Sequence, residues 1–378
     1  MATCLPAALP LYLIRFHIGP LPTTALELYV LALCGLATCV EPGAWRAGWN
    51  RVQAFRAPMI AWGVISACAV VWSAAPVAGL GLWRAYILEP LAVFVLLASI
   101  VDTKQKLHEL RAVAFMTVSI LSVWGIVQRV TGYGYLVPPS VIVNFTHRAM
   151  GPFPYPNALA LFVGPIGVWA LHEWFKQTRV WFPFATWILS CIGVVVAVSQ
   201  GGMLAMGVTS FALFAGDARF RVWAWSLVGA GLVAVLAIPR LGQLVYHQVT
   251  FQGWSGQVRL YMWKDTVRML RDHWFTGAGF GGYPTLFAKY QSTHGIEIFQ
   301  YPHNIVLNLW TEVGAIGVIV FGWIVTTWMR VAKNWRAWMP LAAILLHGLV
   351  DVPYFKNDLA ILFWMLALIP ILSYEKVY

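Results

Sequence analysis

Apolar residues run along this chain in long, unalternating blocks, near 4–18, 22–40, 58–75, 80–100, 111–130, 156–174, 179–198, 203–215, 222–239, 304–328, 338–350 and 355–373. Such blocks predict helices, since a transmembrane barrel would alternate residue by residue. Most approach the roughly 20 residues that a membrane-crossing helix requires. The pattern predicts an all-α polytopic integral membrane protein with about twelve transmembrane helices, eleven being the alternative. The block at 4–18 is the weakest, being short and carrying Arg15 and His17, and 203–215 is also short. One membrane domain is expected: nine helices in 1–239, a large loop at 240–303 and three helices in 304–378.

Composition narrows the class. Of 378 residues, 60% are hydrophobic and only 10% charged. The mean hydropathy is +0.72. A soluble domain is excluded. The 21 Trp and 14 Tyr suit aromatic belts at two membrane interfaces. Cys4, Cys34, Cys39, Cys68 and Cys191 form no CxxC pair, and no His/Cys cluster has metal-ligand spacing. All five read as small core residues. The N-terminus has no basic region or evident cleavage site, so a removed signal peptide is not expected.

The net charge of +11 could suggest nucleic acid, but its distribution explains it otherwise. If the loop with Arg46, Arg51 and Arg56 is cytoplasmic, alternation puts the other basic loops on the same side. These hold Lys104, Lys106 and Arg111; Lys176 and Arg179; Arg219 and Arg221; Arg330, Lys333 and Arg336; and Lys376. The intervening loops near 76–79, 199–202 and 351–354 have no Lys or Arg. This is the positive-inside pattern. No nucleic-acid partner is needed. Both termini are then cytoplasmic if the first block spans, and the long loops at 131–155 and 240–303 face outward. Arg84, Arg129, Arg148 and Arg259 remain on the outer side against this preference. An anionic ligand at the outer boundary would account for them.

Three outer segments carry candidate chemistry. In the large loop, Ser255 is a plausible N-cap for an amphipathic helix over Gly256–Trp274. Its apolar face would be Leu260, Trp263, Val267, Leu270 and Trp274, opposite Lys264, Asp265, Arg268, Arg271 and Asp272. Arg259 sits at the edge of the apolar face, in the first turn, where free N–H groups favour an anion. Snorkelling to lipid headgroups is the alternative role for it. The following Gly277-Ala278-Gly279-Phe280-Gly281-Gly282 lacks a preceding strand and a following Lys-Ser/Thr, so it is no nucleotide loop. It predicts a flexible turn of close backbone approach, and a candidate gate. The segment from His147 to Asn157 is stiff and proline-rich, and Pro156 opens the next helix.

The third segment is Tyr301-Pro302-His303-Asn304, where the large loop meets an apolar helix. Pro302 suits a first helical turn. Asn304, Asn308 and Glu312 recur every four residues and share one face. An acid that far into an apolar helix is costly and marks a candidate site, the alternative being a polar seam between helices. Ser199-Gln200-Gly201-Gly202 is a polar turn on the same side, and His347 and Asp351 lie there too.

These residues resemble the O-antigen ligase and polymerase superfamily, from about Trp72 to Trp364. The likeness rests on linked motifs: Trp72-Ser73 with Arg84 downstream; Arg148-x-x-Gly151-x-Phe153-x-x-Pro156-Asn157; Ser199-Gln200-Gly201-Gly202; Arg259 with Trp263, then Gly277-x-Gly279-x-Gly281; His303-Asn304 with Glu312-x-Gly314-x-x-Gly317; and His347-Gly348-x-x-Asp351. Gln200 departs from the pattern, where an arginine is expected after the serine.

The resemblance implies a glycosyltransferase of the bacterial inner membrane with a periplasmic active site. It would move a glycan from an undecaprenyl-pyrophosphate-linked donor to lipid A–core, among membrane lipids, without metal or other cofactor and with inversion. Arg259, Arg148 and Arg84 would hold the pyrophosphate, because guanidinium groups bind phosphate oxygens in pairs. His303 would be the catalytic base. Asn304, Glu312, Asp351 and Asn157 would support it. Among members of the superfamily, the span count and the single dominant outer loop favour the ligase that joins O-antigen to lipid A–core over an O-antigen polymerase or a protein O-oligosaccharyltransferase. A lipid-linked glycan flippase is the alternative of another class, though the chain has no internal repeat or matched broken helices. A membrane scaffold would have no reason to keep uncompensated outer arginines.

Overall fold

Prolines decide where this chain is helical. In the computed structural model the described residues are 1–374 except 20, 139, 141, 143, 144, 146, 179 and 294. Arg179 and Lys376, two of the cations that the charge pattern assigns to the cytoplasmic side, lie outside the described residues. The first apolar block does not form one spanning helix. Pro6 and Pro10 divide it into the short helix Leu5–Ala8 and flanking 3-10 turns, since each removes a backbone donor. A hairpin follows, pairing Arg15–Ile18 (β1) with Leu21–Thr24 (β2) antiparallel. Leu5, Leu9 and Tyr12 are buried, so this block plugs the bundle.

Thr24 and Glu27 then close a capping box, and the first long helix begins. In order, the helices are α1 (Ala25–Val40), α2 (Ala44–Arg51), α3 (Arg56–Val71), α4 (Pro76–Ile100, with a π turn at Arg84–Leu88), α5 (Lys104–Thr131), α6 (Pro156–Lys176), α7 (Trp181–Val196) and α8 (Gln200–Ala215). Next come α9 (Arg221–Ala237), α10 (Pro239–Val249), α11 (Trp254–Asp272), α12 (Tyr283–Phe287), α13 (Ile305–Val331), α14 (Met339–Gly348) and α15 (Asn357–Tyr374). Every apolar block after the first is thus helical.

Among the described residues, five helices are long and apolar enough to cross a membrane: Gln53–Val71, α4, α5, α6 and α13. The number rises to seven if two bent pairs each count as one span, α1 with α2 (108°) and α9 with Pro239–Asp272 (102°). The protein is therefore an all-α multi-pass membrane protein. By length, α7, α8 and α15 are shorter apolar helices, so five to seven, not twelve, meet the spanning criteria.

Helix α6 is the axis of the bundle. Pro156 sits at its first turn, and Asn157 and Lys176 are its only residues not buried. Helices α5, α7, α8 and α14 pack around it.

Helix α13 is broken at Gly314, whose φ of 71° and ψ of −178° are open essentially to glycine alone. The break frees backbone groups, and the glycine segment of the large loop takes them up. Ala278 N–H donates to Thr311 O (2.7 Å), and Ala315 N–H to Phe275 O (3.2 Å). The end of α3 completes the lock. Phe280 N–H donates to Ala69 O (3.0 Å), Ser73 Oγ to Phe280 O (2.8 Å) and Trp72 Nε1 to Thr276 O (3.1 Å). The 277–280 segment is buried and forms the joint between these two helices, where backbone approaches backbone closely.

The large loop differs from expectation in two further ways. Helix α11 starts from Gly253, and Ser255 lies inside its first turn instead of capping it. Its buried face is Val258, Met262, Asp265, Thr266, Met269 and Leu270, while Leu260, Val267 and Trp274 are exposed. The face turned by one residue because Asp265 is drawn inward by the Ser292 backbone N–H (2.8 Å) and hydroxyl (2.8 Å). Pro302 also precedes α13 instead of entering it; its carbonyl accepts from Trp263 Nε1 at 2.8 Å.

Candidate active site

Five segments that the charge pattern assigns to one side of the membrane meet at His303. Asn304 ends the large loop by capping α13. Its Oδ1 accepts from Val306 and Leu307 N–H, both at 3.0 Å. Its Nδ2 donates to Leu349 O at 2.9 Å, tying the cap to the loop after α14. His303, just before the cap, takes a left-handed backbone (φ 48°), a region that histidine visits more than most non-glycine residues. The imidazole lies between the Phe299 and Tyr301 rings, at 5.3 and 5.1 Å.

His303 Nδ1 is 3.2 Å from Asp351 Oδ1. An ionised carboxylate only accepts, so Nδ1 carries the proton and the basic lone pair is on Nε2. Asp351 is 1% exposed. Besides His303, it accepts from its neighbour Val352 N–H (2.8 Å) and from Asn157 Nδ2 (2.9 Å). Burial alone would raise the acid's pKa, but the hydrogen bond from His303 and the positive charge of Lys356 outweigh it and hold the pKa far below the usual range.

Asn157 extends the chain of bonds. Its Oδ1 accepts from Arg148 NH2 at 3.1 Å. Arg148 also donates from Nε to Ala197 O (2.8 Å) and from NH2 to Val198 O (3.0 Å). Val198 itself has φ 50°, an outlying conformation for a β-branched residue. That strained turn presents two carbonyls to one guanidinium. The Arg148 segment is held from below by Gln128, which accepts from Met150 and Gly151 N–H and donates to Gly151 O. Arg259 arrives from α11. Its Nε donates to Val350 O (2.9 Å), one residue before Asp351, and its NH1 to Ser255 Oγ (2.6 Å). Burial first, and then the charge of Arg259, depress the pKa of Arg148. The two guanidiniums therefore feel each other, and both remain charged. Among the described residues neither is in an ion pair; their partners are carbonyls, a hydroxyl and an amide.

Other expected residues lie elsewhere. Arg84 does not join this cluster. It is bonded to Glu27 Oε2 (2.7 Å), and its Nε is 3.3 Å from Glu89 Oε1 without hydrogen-bond alignment. Glu312 accepts from Gly281 N–H at 2.6 Å and so braces the joint at the α13 break. It also faces a cavity of about 340 Å³ beside Tyr301. His347 is buried, with Nε2 3.4 Å from Ser199 Oγ. Gln200, the departure from the motif, is exposed at the start of α8.

The sequence reading missed three residues here. Lys356 is buried and donates to the Tyr155 hydroxyl; its ammonium is 4.6 Å from the Tyr155 ring centre and 5.2 Å from that of Tyr301. The two tyrosine hydroxyls are 3.3 Å apart. Both rings were attributable to an interfacial belt, and Lys356 stands alone at the start of an apolar block, so only its odd position could have marked it. No group of three or more His, Cys, Asp or Glu among the described residues could hold a metal ion.

The geometry just described can take a proton at Nε2 of an oriented imidazole and receive an anion at a pair of arginines. No curated protein matches the chain. Over residues 184–322, which include Arg259, His303, Asn304 and Glu312, the chain matches the family model described as O-antigen ligase.

Proposed function

We propose that this protein transfers a glycan from undecaprenyl pyrophosphate to a hydroxyl of lipid A–core, on the periplasmic side of a bacterial inner membrane. The observation that carries this reading is that two half-buried guanidiniums with only neutral partners are joined, through Asn157 and the Val350 carbonyl, to the aspartate that holds His303. The acceptor oxygen attacks the anomeric carbon while His303 Nε2 removes its proton. The bond from that carbon to the pyrophosphate oxygen breaks on the opposite face, so the configuration inverts. Arg148 and Arg259 take the charge that develops on the leaving pyrophosphate. Asp351 fixes the imidazole tautomer and stabilises the imidazolium, and Asn157 links it to Arg148, so base and anion site are positioned as one unit. No step calls for a metal. Arg84 acts in this reading as a positioning residue, because its bonds go to Glu27, which in turn accepts from Asn357 Nδ2 (3.1 Å) beside the cavity.

The same reading counts eleven spans, which requires both bent pairs and the shorter helices α7, α8, α14 and α15 to cross as well. With the first block folded as a plug and the 41–57 loop cytoplasmic, the N-terminal segment belongs on the outer side. Arg15 then joins the outer arginines and, with Tyr12, lines the same cavity as Lys356.

Purified protein in nanodiscs, given undecaprenyl-pyrophosphate glycan and lipid A–core with and without chelator, tests this. The expected result is a shifted lipid A–core band in both conditions, lost in His303→Ala. A ladder on the undecaprenyl carrier would make the protein a polymerase. No covalent product under any condition would overturn the transferase reading in favour of transport.

A further inference from the structure

The cavity beside Tyr301 holds a polar side chain that the protein itself does not satisfy. Asn308 sits one turn into α13, is 1% exposed and lines this cavity. Neither its Nδ2 nor its Oδ1 has a hydrogen-bond partner among the described residues. Leaving a donor and an acceptor of one buried amide unmade is expensive, and such pairs are normally satisfied by something. The walls around it are aromatic and polar together. Tyr86, Tyr155 and Tyr301 contribute rings, Lys356 an ammonium and Glu312 a carboxyl group. At about 340 Å³ the space is in the range of small-ligand sites. Its wall is continuous with the candidate active site, because the Tyr301 ring is 5.1 Å from the His303 ring.

We infer that this cavity is a sugar-binding subsite in which the Asn308 amide grips a vicinal pair of hydroxyls on a pyranose ring. One hydroxyl would donate to Oδ1 while its neighbour accepts from Nδ2–H, which matches the side-by-side donor and acceptor of a carboxamide. The tyrosine rings supply flat surfaces for the C–H faces of the sugar. The ring so held is one side chain away from His303, so it positions a substrate sugar next to the base. The inference deepens the glycan-transfer reading and rests on it for the identity of that sugar as substrate, but binding itself does not require transfer.

The test is saturation-transfer NMR on the full chain in nanodiscs. The probes are methyl α-D-glucopyranoside, methyl α-D-galactopyranoside and methyl α-L-rhamnopyranoside, with tetrahydropyran-2-methanol as the ring lacking a vicinal diol. At least one pyranoside should receive saturation and the diol-free ring none. Asn308→Leu, similar in size, should weaken the binding about tenfold, the value of two modest hydrogen bonds. Should Asn308→Leu fail to fold, Tyr301→Ala provides the second variant and should also weaken it. Saturation of no pyranoside, or equal saturation in wild type and a folded variant, would overturn the inference and would mean that water fills the site. The glycan-transfer assay is read separately. Transfer without pyranoside binding sinks only the subsite, and binding without transfer sinks only the reaction.

Discussion

Replacing Asp351 by asparagine removes one charge and almost no volume, so its effect isolates the polar chain around His303. Asp351 Oδ1 accepts from His303 Nδ1 and Val352 N–H, and Oδ2 accepts from Asn157 Nδ2. An amide has only one oxygen to offer. If that oxygen stays toward His303 and Val352, the new NH₂ group opposes Asn157 Nδ2. Asn157 can turn its own amide to suit, but its NH₂ group then opposes Arg148 NH2, now 3.1 Å from Asn157 Oδ1. If the new amide turns instead, its NH₂ group opposes Val352 N–H, and His303 is driven to the tautomer with the proton on Nε2, which cannot act as base. Each arrangement leaves a donor facing a donor in a buried site, worth about 1–3 kcal/mol. The imidazole also loses its counter-charge.

A positioned general base contributes about 10²–10⁴-fold, so Asp351→Asn should lose most of that in single-turnover transfer with saturating donor. Donor affinity should change far less, since Arg148 keeps its bonds to Ala197 O and Val198 O. Transfer by a folded Asp351→Asn protein within about threefold of wild type, less than the worth of one ordinary hydrogen bond, would refute the positioning argument.

Three further outcomes follow from the same geometry. The pKa of Asp351 is depressed in the fold, so its ionised bonds stabilise the protein fully above the unfolded value near ~4 and are lost as pH falls toward the folded one; the melting-temperature gap between wild type and Asp351→Asn should be constant at neutral pH and narrow below about pH 4. Gly314→Ala should destabilise the protein by at least about 1–3 kcal/mol, because φ 71° with ψ −178° is forbidden to alanine and the new Cβ would strike the Phe275 carbonyl; an unchanged denaturation midpoint would mean that the break in α13 tolerates a side chain. Arg148→Lys keeps the charge but cannot span Ala197 O, Val198 O and Asn157 Oδ1 together; KM for the lipid-linked donor should rise with a smaller loss in kcat, and an unchanged KM would remove Arg148 from the anion site.

What the sequence shows and what it hides divide by the range of the interactions. Apolar blocks report a local property, and each block after the first became a helix. The first failed for a local reason too, Pro6 and Pro10, whose veto on a continuous helix outweighs the apolar count. His303, Asn304 and Arg148 were visible because each is polar where its surroundings are not. Their grouping was visible only as a shared side of the membrane. The bond that joins Asn157 to Asp351 crosses 194 positions, and no periodicity reaches that far. The same limit applies to the glycines. Taken alone, Gly277 to Gly282 read as freedom, but beside the Gly314 break and the end of α3 they are the only residues thin enough to fill a joint between two helices. Gly279 needs φ 76°, and a Cβ there would meet the Ser73 backbone. The face of Asn304, Asn308 and Glu312 shows how one pattern can hold three different jobs. Asn304 caps the helix, Glu312 bonds the joint, and Asn308 is left with neither duty. A regular polar spacing therefore identifies a face worth inspecting, and it is the residue on that face with no structural partner that points to a ligand.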